Sequence, residues 1–499
     1  MVGSEPLLDN GNPHSAEDQP KPYQKLLSVR SKIRRVAADV DPKLPTVIVS
    51  SPYAGQRKYG NVDARKQRRL TRQVALCCFV MFAEGFYATQ IFPYVSAMTE
   101  ELRGTTDLIG PYTGLLYTSQ SAGMLISAYV WAAASNHYGR RRCLIFGVSF
   151  NIATSFLLAC STDYWITVFL RILAGLTNNN LSILRTSLRE FFMQQGADDT
   201  TAFSMLSVAF GASSIAGPSV GGLLYVKLPG AGALLPCWAP PFLLCMVLYC
   251  ISLAVVVTWL PETANLEHRN KQEAIIIEKN PNGGARRLLR ETKFILLLVM
   301  AGGHSYIFTG WELVYPLFAR LHAEAGGEEW LTSDIGLTFL VGSIGLMSYS
   351  LLVYPKVAKL MPTIRLWIWQ WVPPIVIMPL FPRLVQYALS HGFHHKGWII
   401  RLLNFGSQLV VSILLGSKFI SIQLLLNSYV AGQHELLALA NGYLVSTQAL
   451  VRAISPLSTG SLFTVGVHDH IIGPALPFDH LALAGLVCGV ACALAFEFI

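Results

Sequence analysis

Apolar residues along this chain gather into long runs separated by short polar, proline-rich or glycine-rich punctuation. A helix needs ~20 mostly apolar residues to cross the hydrocarbon of a bilayer. Twelve runs approach that length: 73–95, 110–135, 143–160, 165–186, 202–225 and 239–260, then 292–318, 335–360, 365–387, 399–426, 436–465 and 480–498. The pattern predicts an all-α integral membrane protein with twelve transmembrane helices.

Two of the runs share a local signature. Ala-Gly-Pro-Ser-Val-Gly-Gly at Ala216 to Gly222 and Ser-Pro-Leu-Ser-Thr-Gly at Ser455 to Gly460 each place a proline four residues before a glycine, Pro218 to Gly222 and Pro456 to Gly460. Repetition of this kind is the mark of a duplicated chain, and a membrane protein of two similar halves is most often a carrier with its site between them. The expected division is a flexible tail at 1–72, a six-helix bundle at 73–262, a linker at 263–290 and a second six-helix bundle at 291–499.

Composition agrees with burial in lipid: 52% of the 499 residues are hydrophobic and 13% charged, against about 25% charged in soluble domains. A formal charge of +9 raises the question of nucleic acid, which its distribution answers. Basic residues crowd 57–72, 140–142 and 269–290, with Lys356, Lys359 and Arg365 between runs 8 and 9, whereas 96–109 holds only Arg103. Alternating loops of this kind follow the positive-inside rule and place both termini in the cytosol; no nucleic-acid partner is expected. The cysteines lie mostly in or at the ends of apolar runs without metal-type spacing, and the first 72 residues lack the apolar core of a signal peptide. Glu5-Pro6-Leu7-Leu8 is similar to acidic dileucine sorting signals, which leaves the plasma membrane and a vacuolar or endolysosomal membrane both open.

Ionisable side chains inside the runs are the first candidates for chemistry, because each costs ~2.5–3.5 kcal/mol at the centre of a spanning helix and tends to face a cavity. Glu84 in run 1 and Glu312 in run 7 are candidate proton-coupling groups, with Arg171 in run 4 as the cation that would pair with them. A structural hydrogen-bonding role is the alternative for Glu84, and a helix-end carboxylate reaching water for Glu312. Lys418 and Arg452 would favour an anionic or zwitterionic solute, unless both snorkel to the surface. Asn178, Asn179 and Asn180 form a polar run in a span; Tyr87, Gln90, Tyr306, Trp311 and Gln448 add groups suited to an organic ligand or, equally, to holding helices together. Histidines at His391, His394, His395, His468, His470 and His480 are expected to be solvated rather than to hold a metal, with a metal site or a pH sensor as the alternatives.

The loop after run 2 reads Trp131-Ala-Ala-Ala-Ser-Asn136-His-Tyr-Gly139-Arg140-Arg141-Arg142. It resembles the Gly-x-x-x-Asp-Arg-x-Gly-Arg-Arg loop of the major facilitator superfamily, with Ala132 in place of the first glycine, Asn136 in place of the aspartate, and Gly139, Arg140 and Arg141 kept. The resemblance implies the major facilitator fold and a gate at this loop. Phe169-Leu-Arg171-Ile-Leu-Ala-Gly175 and Trp259-Leu-Pro-Glu262-Thr resemble helix 4 and the exit of helix 6 in that family. Gly217, Pro218, Gly221 and Gly222 resemble the helix 5 element of its proton-driven antiporters, where small residues pack helices closely; Pro456 and Gly460 are read as packing residues in the same way. Ala83-Glu84 with Ile91-Phe-Pro-Tyr94, Trp311-Glu312-Leu-Val-Tyr-Pro-Leu317, Tyr354-Pro355 and Arg452-Ala-Ile-Ser-Pro456 are similar to the zinc-induced facilitator-like branch near the tetracycline-efflux type.

These observations predict a secondary carrier that couples protons to export of a small organic solute by alternating access; a symporter or uniporter, or a sensor on a carrier fold, is the alternative. No phosphate-binding Gly-x-x-x-x-Gly-Lys-Ser/Thr loop is present, so the chain is not expected to be an enzyme or to hold a cofactor, and its energy would come from a gradient.

Overall fold

The structure, a computed structural model, describes residues 64–178, 180–195, 200–227, 235–263, 288–393, 397–430, 434–469 and 472–495. Among them no strand occurs. The first half comprises α1 (Ala64–Thr89), α2 (Val95–Arg103), α3 (Ile109–Tyr138), α4 (Arg140–Cys160), α5 (Tyr164–Thr177), α6 (Asn180–Gln194), α7 (Thr200–Leu224) and α8 (Ala239–Trp259). The second comprises α9 (Thr292–Arg320), α10 (Thr332–Ser348), α11 (Tyr354–Leu360), α12 (Thr363–Trp369), α13 (Val372–Ser390), α14 (Trp398–Tyr429), α15 (His434–His468) and α16 (Leu476–Ala495). The α5–α6, α10–α11 and α12–α13 pairs each make one crossing, and α2 extends the first, so the chain is a multi-pass membrane protein of two six-helix bundles. We call the membrane face where α1 begins the near face, and the opposite one the far face.

Helix α1 starts at Ala64, so Lys66, Arg68, Arg69 and Arg72 ride on its first turns rather than in the tail expected to reach residue 72. Local sequence explains several boundaries. Asp163 caps α5 by accepting from the Ile166 N–H at 2.9 Å. Prolines open α8 and α13, where the missing N–H costs no helical bond. Between α10 and α11, residues Tyr349–Val353 widen into a π turn immediately before Pro355, whose ring would clash with the carbonyl four residues earlier in a regular α-helix.

Hydrocarbon tails are as apolar as leucine, so packing rather than exclusion of water must hold these helices together. In the second half an aromatic knot does this: Trp311, Tyr315 and Phe318 of α9 pack on Phe381 of α13 and Phe478 of α16, with Phe318 and Phe381 centroids 5.5 Å apart. Between the halves, small residues let backbone touch backbone. A Cβ added at Gly222 would lie 2.6 Å from the Thr332 carbonyl oxygen, linking α7 to α10, and Gly336 faces the Pro218 carbonyl. On the other side a Cβ at Gly460 would lie 2.3 Å from the Gly110 oxygen, and one at Gly114 2.3 Å from the Pro456 oxygen, linking α15 to α3. Both proline–glycine elements thus occupy corresponding contacts, towards the far-face ends of their helices. Gly217 and Gly221 fit instead against Thr89 and the Gln90 carbonyl of the first span.

Replacing Gly114 with valine should wedge α3 from α15 and disfavour the far-closed arrangement by about 1–3 kcal/mol, the usual cost of overpacking. Spin labels at Asp107 and Asp469 should report a longer and broader separation in Gly114→Val than in the parent; an unchanged distribution would disprove the wedge.

Candidate functional site

Glu84, on α1, is 5% exposed and accepts four hydrogen bonds from three other spans. Asn178 Nδ2 donates at 2.9 Å, Asn180 Nδ2 at 2.7 Å, Tyr249 Oη at 3.1 Å and Asn151 Nδ2 at 3.4 Å. The fourth span is built around this contact. Asn178 leaves the helix at φ −107°, ψ 92°, which ends α5, and Asn180 opens α6. Asparagine suits such a break because its amide replaces the lost backbone bonds with a side-chain bond. Asn179 lies outside the described residues. The apolar run predicts one continuous span over 165–186; the interruption lets Asn178 and Asn180 converge.

The expected pairing of Arg171 with Glu84 is not what the structure contains. Arg171, 3% exposed, donates from Nε to the Leu116 carbonyl at 2.9 Å and faces the phenols of Tyr87, Tyr94 and Tyr117. Four neutral donors satisfy Glu84 without a cation. Tyr87 is buried, its ring 5.5 Å from that of Tyr249.

Glu312 is the carboxylate at the boundary between the halves. It lies eight residues before the end of α9, about 12 Å from that terminus at 1.5 Å per residue. Tyr117 of α3 donates to Glu312 Oε2 at 3.1 Å, a side-chain bond from one half to the other. Arg452 of α15 is within electrostatic reach of both groups, its Nε has no hydrogen-bond partner among the described residues, and its guanidinium lies over Phe419 at 5.3 Å. Glu312 is half-buried at this boundary, rather than a carboxylate reaching water at a helix end.

Other residues expected to line the cavity have different surroundings. Gln90 is fully buried in the turn after α1, bonded to Tyr94 and backed by α7. Trp311 donates to Gln408 Oε1 at 2.8 Å inside the aromatic knot, and Tyr306 bonds Ser458 and His480 on the side of α9 facing α15 and α16. Lys418 is fully buried against α12 and the α12–α13 junction: Nζ donates to the Trp367 carbonyl at 2.7 Å and sits 3.7 Å from the Trp371 ring. Gln448 is half-buried on α15. A residue's presence in a span does not determine the face it occupies, which is why composition alone grouped these with the cavity.

At the near face, Gly139 adopts φ +97° between α3 and α4, and any Cβ there would lie 2.5 Å from the Glu262 carboxylate. That carboxylate accepts from the N–H groups of Arg140 and Arg141 at 2.9 and 3.2 Å, where it meets the positive end of α4. The Arg140 guanidinium pairs with Glu190 at 3.1 Å. The loop therefore clamps α3, α4, α6 and the end of α8 within the first half. Ala132 and Asn136 lie on the last turns of α3. At the far face, Arg320 of α9 pairs with Glu100 of α2 at 3.0 Å, a link between halves that the sequence did not single out. Of the histidines, His468 contacts Asp469 at 2.8 Å and His391 bonds the Tyr387 carbonyl; His394, His395 and His470 lie outside the described residues. No cluster of three metal-ligating side chains occurs among the described residues.

Two six-helix bundles, touching through glycines towards one face and sharing charged groups at their boundary, have the architecture of a membrane carrier. The major facilitator superfamily profile matches residues 74–456, and the chain belongs to that superfamily. It is 21% identical over 460 residues to protein zinc induced facilitator 1 of Arabidopsis thaliana, covering 85% of this chain and 91% of that one. It is 22% identical over 296 residues to the class H tetracycline resistance protein of Pasteurella multocida, covering 58% and 68%. Among solved structures, the D-xylose-proton symporter superposes with a TM-score of 0.62 at 14% identity, over 86% of this chain and 97% of that one. The chain is thus a secondary transporter of the major facilitator superfamily, similar in sequence to zinc-induced facilitator and tetracycline resistance proteins.

Removing one partner of a buried ion pair costs about 3–5 kcal/mol. The Arg140 side chain is 4% exposed but Glu190 is 23% exposed, which places Arg140→Ala at the lower end, about 3 kcal/mol. Thermal unfolding in detergent should show a clear fall in Tm for Arg140→Ala and a smaller one for Arg141→Ala; equal small losses would disprove the clamp.

Proposed function

We propose that the protein is a proton-coupled antiporter that exports a small organic solute from the cytosol, with coupling centred on Glu312. The observation that carries this reading is the Tyr117–Glu312 hydrogen bond between the two halves. When the halves rock, Glu312 loses a partner and its preference for a proton changes; the four donors of Glu84 belong to its own half and travel with it. Glu84 then acts chiefly as the tie among α1, α4, α5–α6 and α8, and Arg171 as a cationic wall of the cavity.

The charge of the solute decides the direction of coupling. A zwitterion whose ammonium meets Glu312 and whose carboxylate meets Arg171 competes with the proton for Glu312, and competition gives antiport. A plain anion held by Arg452 is favoured when Glu312 is protonated, because the arginine is then released from its neighbour; that gives symport. The zwitterion fits the antiport reading, and the symporter remains the second reading. The basic residues on the near-face ends of α1, α4 and α12 support a cytosolic near face, so the far-face contacts described above belong to an inward-facing state. The membrane is the plasma membrane or a vacuolar or endolysosomal one.

Protein reconstituted in liposomes with an imposed pH gradient, offered a panel of zwitterionic and anionic solutes, tests the scheme. Gradient-driven flux should fall to background in Glu312→Gln while gradient-independent solute exchange persists, and Glu84→Gln should keep its gradient dependence with a lower Tm. Loss of gradient dependence in Glu84→Gln alone would return coupling to Glu84 and overturn this assignment.

A further inference from the structure

The loop from α9 to α10 holds a carboxyl group that the transport scheme does not use. Glu328 is fully buried, although the adjacent Glu329 is exposed enough to pair with His322 at 3.6 Å. The loop is shaped to turn it inward. Gly326 takes φ +85° and Glu329 φ +55°, an uncommon conformation for a residue with a side chain. A Cβ at Gly327 would lie 2.2 Å from the Leu321 carbonyl, and the Trp330 N–H donates to the Ala319 carbonyl at 2.8 Å, closing the loop onto the end of α9.

Inside, Glu328 Oε2 accepts from Asn404 Nδ2 of α14 at 2.7 Å. The Asn404 Oδ1 accepts from the Tyr315 hydroxyl of α9 at 2.9 Å, and that hydroxyl also lies 2.9 Å from Thr338 Oγ1 of α10. The other oxygen, Oε1, is buried without a hydrogen-bond partner among the described residues. The charged and titratable groups of the surrounding elements do not compensate a negative charge. On α9 there is the Tyr315 phenol, and Arg320 is engaged by Glu100; on α10 there is Asp334, itself acidic; on α14 Arg401 is exposed; on the loop itself Glu324, Glu329 and His322 are exposed or half-exposed. A protonated carboxyl fits this pocket and a carboxylate does not, because an unpaired buried charge is strongly unfavourable.

We propose that Glu328 is a proton-binding site of the far face, distinct from the carboxylates in the spans, whose protonated form holds the far ends of α9, α10 and α14 together. Its position beside the exposed Glu329 gives a short route to the far-side solution. Helix α10 carries Gly336, one of the contacts to the first half, so order in this network reaches the surface along which the halves meet. Acidity of the far compartment then favours the closed far face, independently of which group couples transport.

Burial pushes the Glu328 carboxyl well above the usual carboxylate range, and the amide of Asn404 draws it part of the way back. A pKa raised in the folded state gives stability that is full below the unfolded value and is lost as pH rises through the folded one. Thermal unfolding of the full chain in nanodiscs, followed over pH, should therefore show Tm falling with pH in the parent, with that component absent in Glu328→Gln and present in Glu84→Gln. Hydrogen exchange of residues 321–331, corrected for its intrinsic pH dependence, should rise over the same window in the parent and stay flat in Glu328→Gln. Should Glu328→Gln fail to fold, Asn404→Leu removes the only donor to the carboxylate among the described residues, and the midpoint should move to higher pH. A Glu328→Gln profile that matches the parent, or an Asn404→Leu midpoint that is unmoved or lower, overturns the proposal.

Discussion

Two bundles dissolved in hydrocarbon have no hydrophobic reason to adhere to one another, so the contact that joins them must come from close approach of backbones and from polar bonds. Here that contact is made twice, by Pro218 and Gly222 with α10 and by Pro456 and Gly460 with α3. Each of these glycines brings a carbonyl oxygen of the other half closer than a Cβ would permit. The arrangement suits a molecule that must separate there: the interface is well fitted yet contains few strong bonds, the Glu100–Arg320 pair and the Tyr117–Glu312 bond being the chief polar links at the far face and the boundary.

The two bundles solve the problem of polar groups in lipid differently. The first concentrates its neutral donors on one carboxylate, so that Glu84 stitches the first, third, fourth and sixth spans together. The second uses aromatic surfaces, Trp311 to Phe478 in the knot and Trp367 and Trp371 around Lys418. A cation over an indole face has part of its lost hydration replaced by the ring quadrupole, which lets a lysine stay buried without a carboxylate beside it. Both solutions keep the charged groups of the boundary, Arg171, Glu312 and Arg452, available for change when the halves move.

Much of this plan is visible in the order of residues. The alternation of apolar runs with basic loops predicts the spans, and the repeated proline–glycine spacing points to the two halves. Eight segments among the described residues are apolar enough by length and composition to cross a membrane; of the remaining spans, the first and fourth carry Glu84 and its asparagines. Glu84 and Glu312 stand out as charges in apolar runs. Their partners do not, because Tyr249 lies 165 positions from Glu84 and Tyr117 lies 195 from Glu312, and tyrosine is ordinary in a membrane helix. Glu328 was hidden for the opposite reason: in a short polar loop a glutamate is unremarked, and only the fold of Gly326 and Gly327 buries it. The partners of Gln90, Trp311 and Tyr306 were equally hidden, because helical phase is not legible where the first span ends in a turn or along the tightly packed second half of α9.

The lengths of the last long helices bear on the membrane itself. At 1.5 Å per residue, the 32 residues of α14 and the 35 of α15 extend ~48 Å and ~52 Å, against a hydrocarbon thickness of about 30 Å. The excess must be taken up by tilt or by turns standing among the lipid headgroups. Such helices tolerate a thicker or thinner bilayer by sliding a different stretch of their surface into the hydrocarbon. These two helices are therefore matched to no single membrane thickness, and can change their inclination without carrying a short apolar span into water.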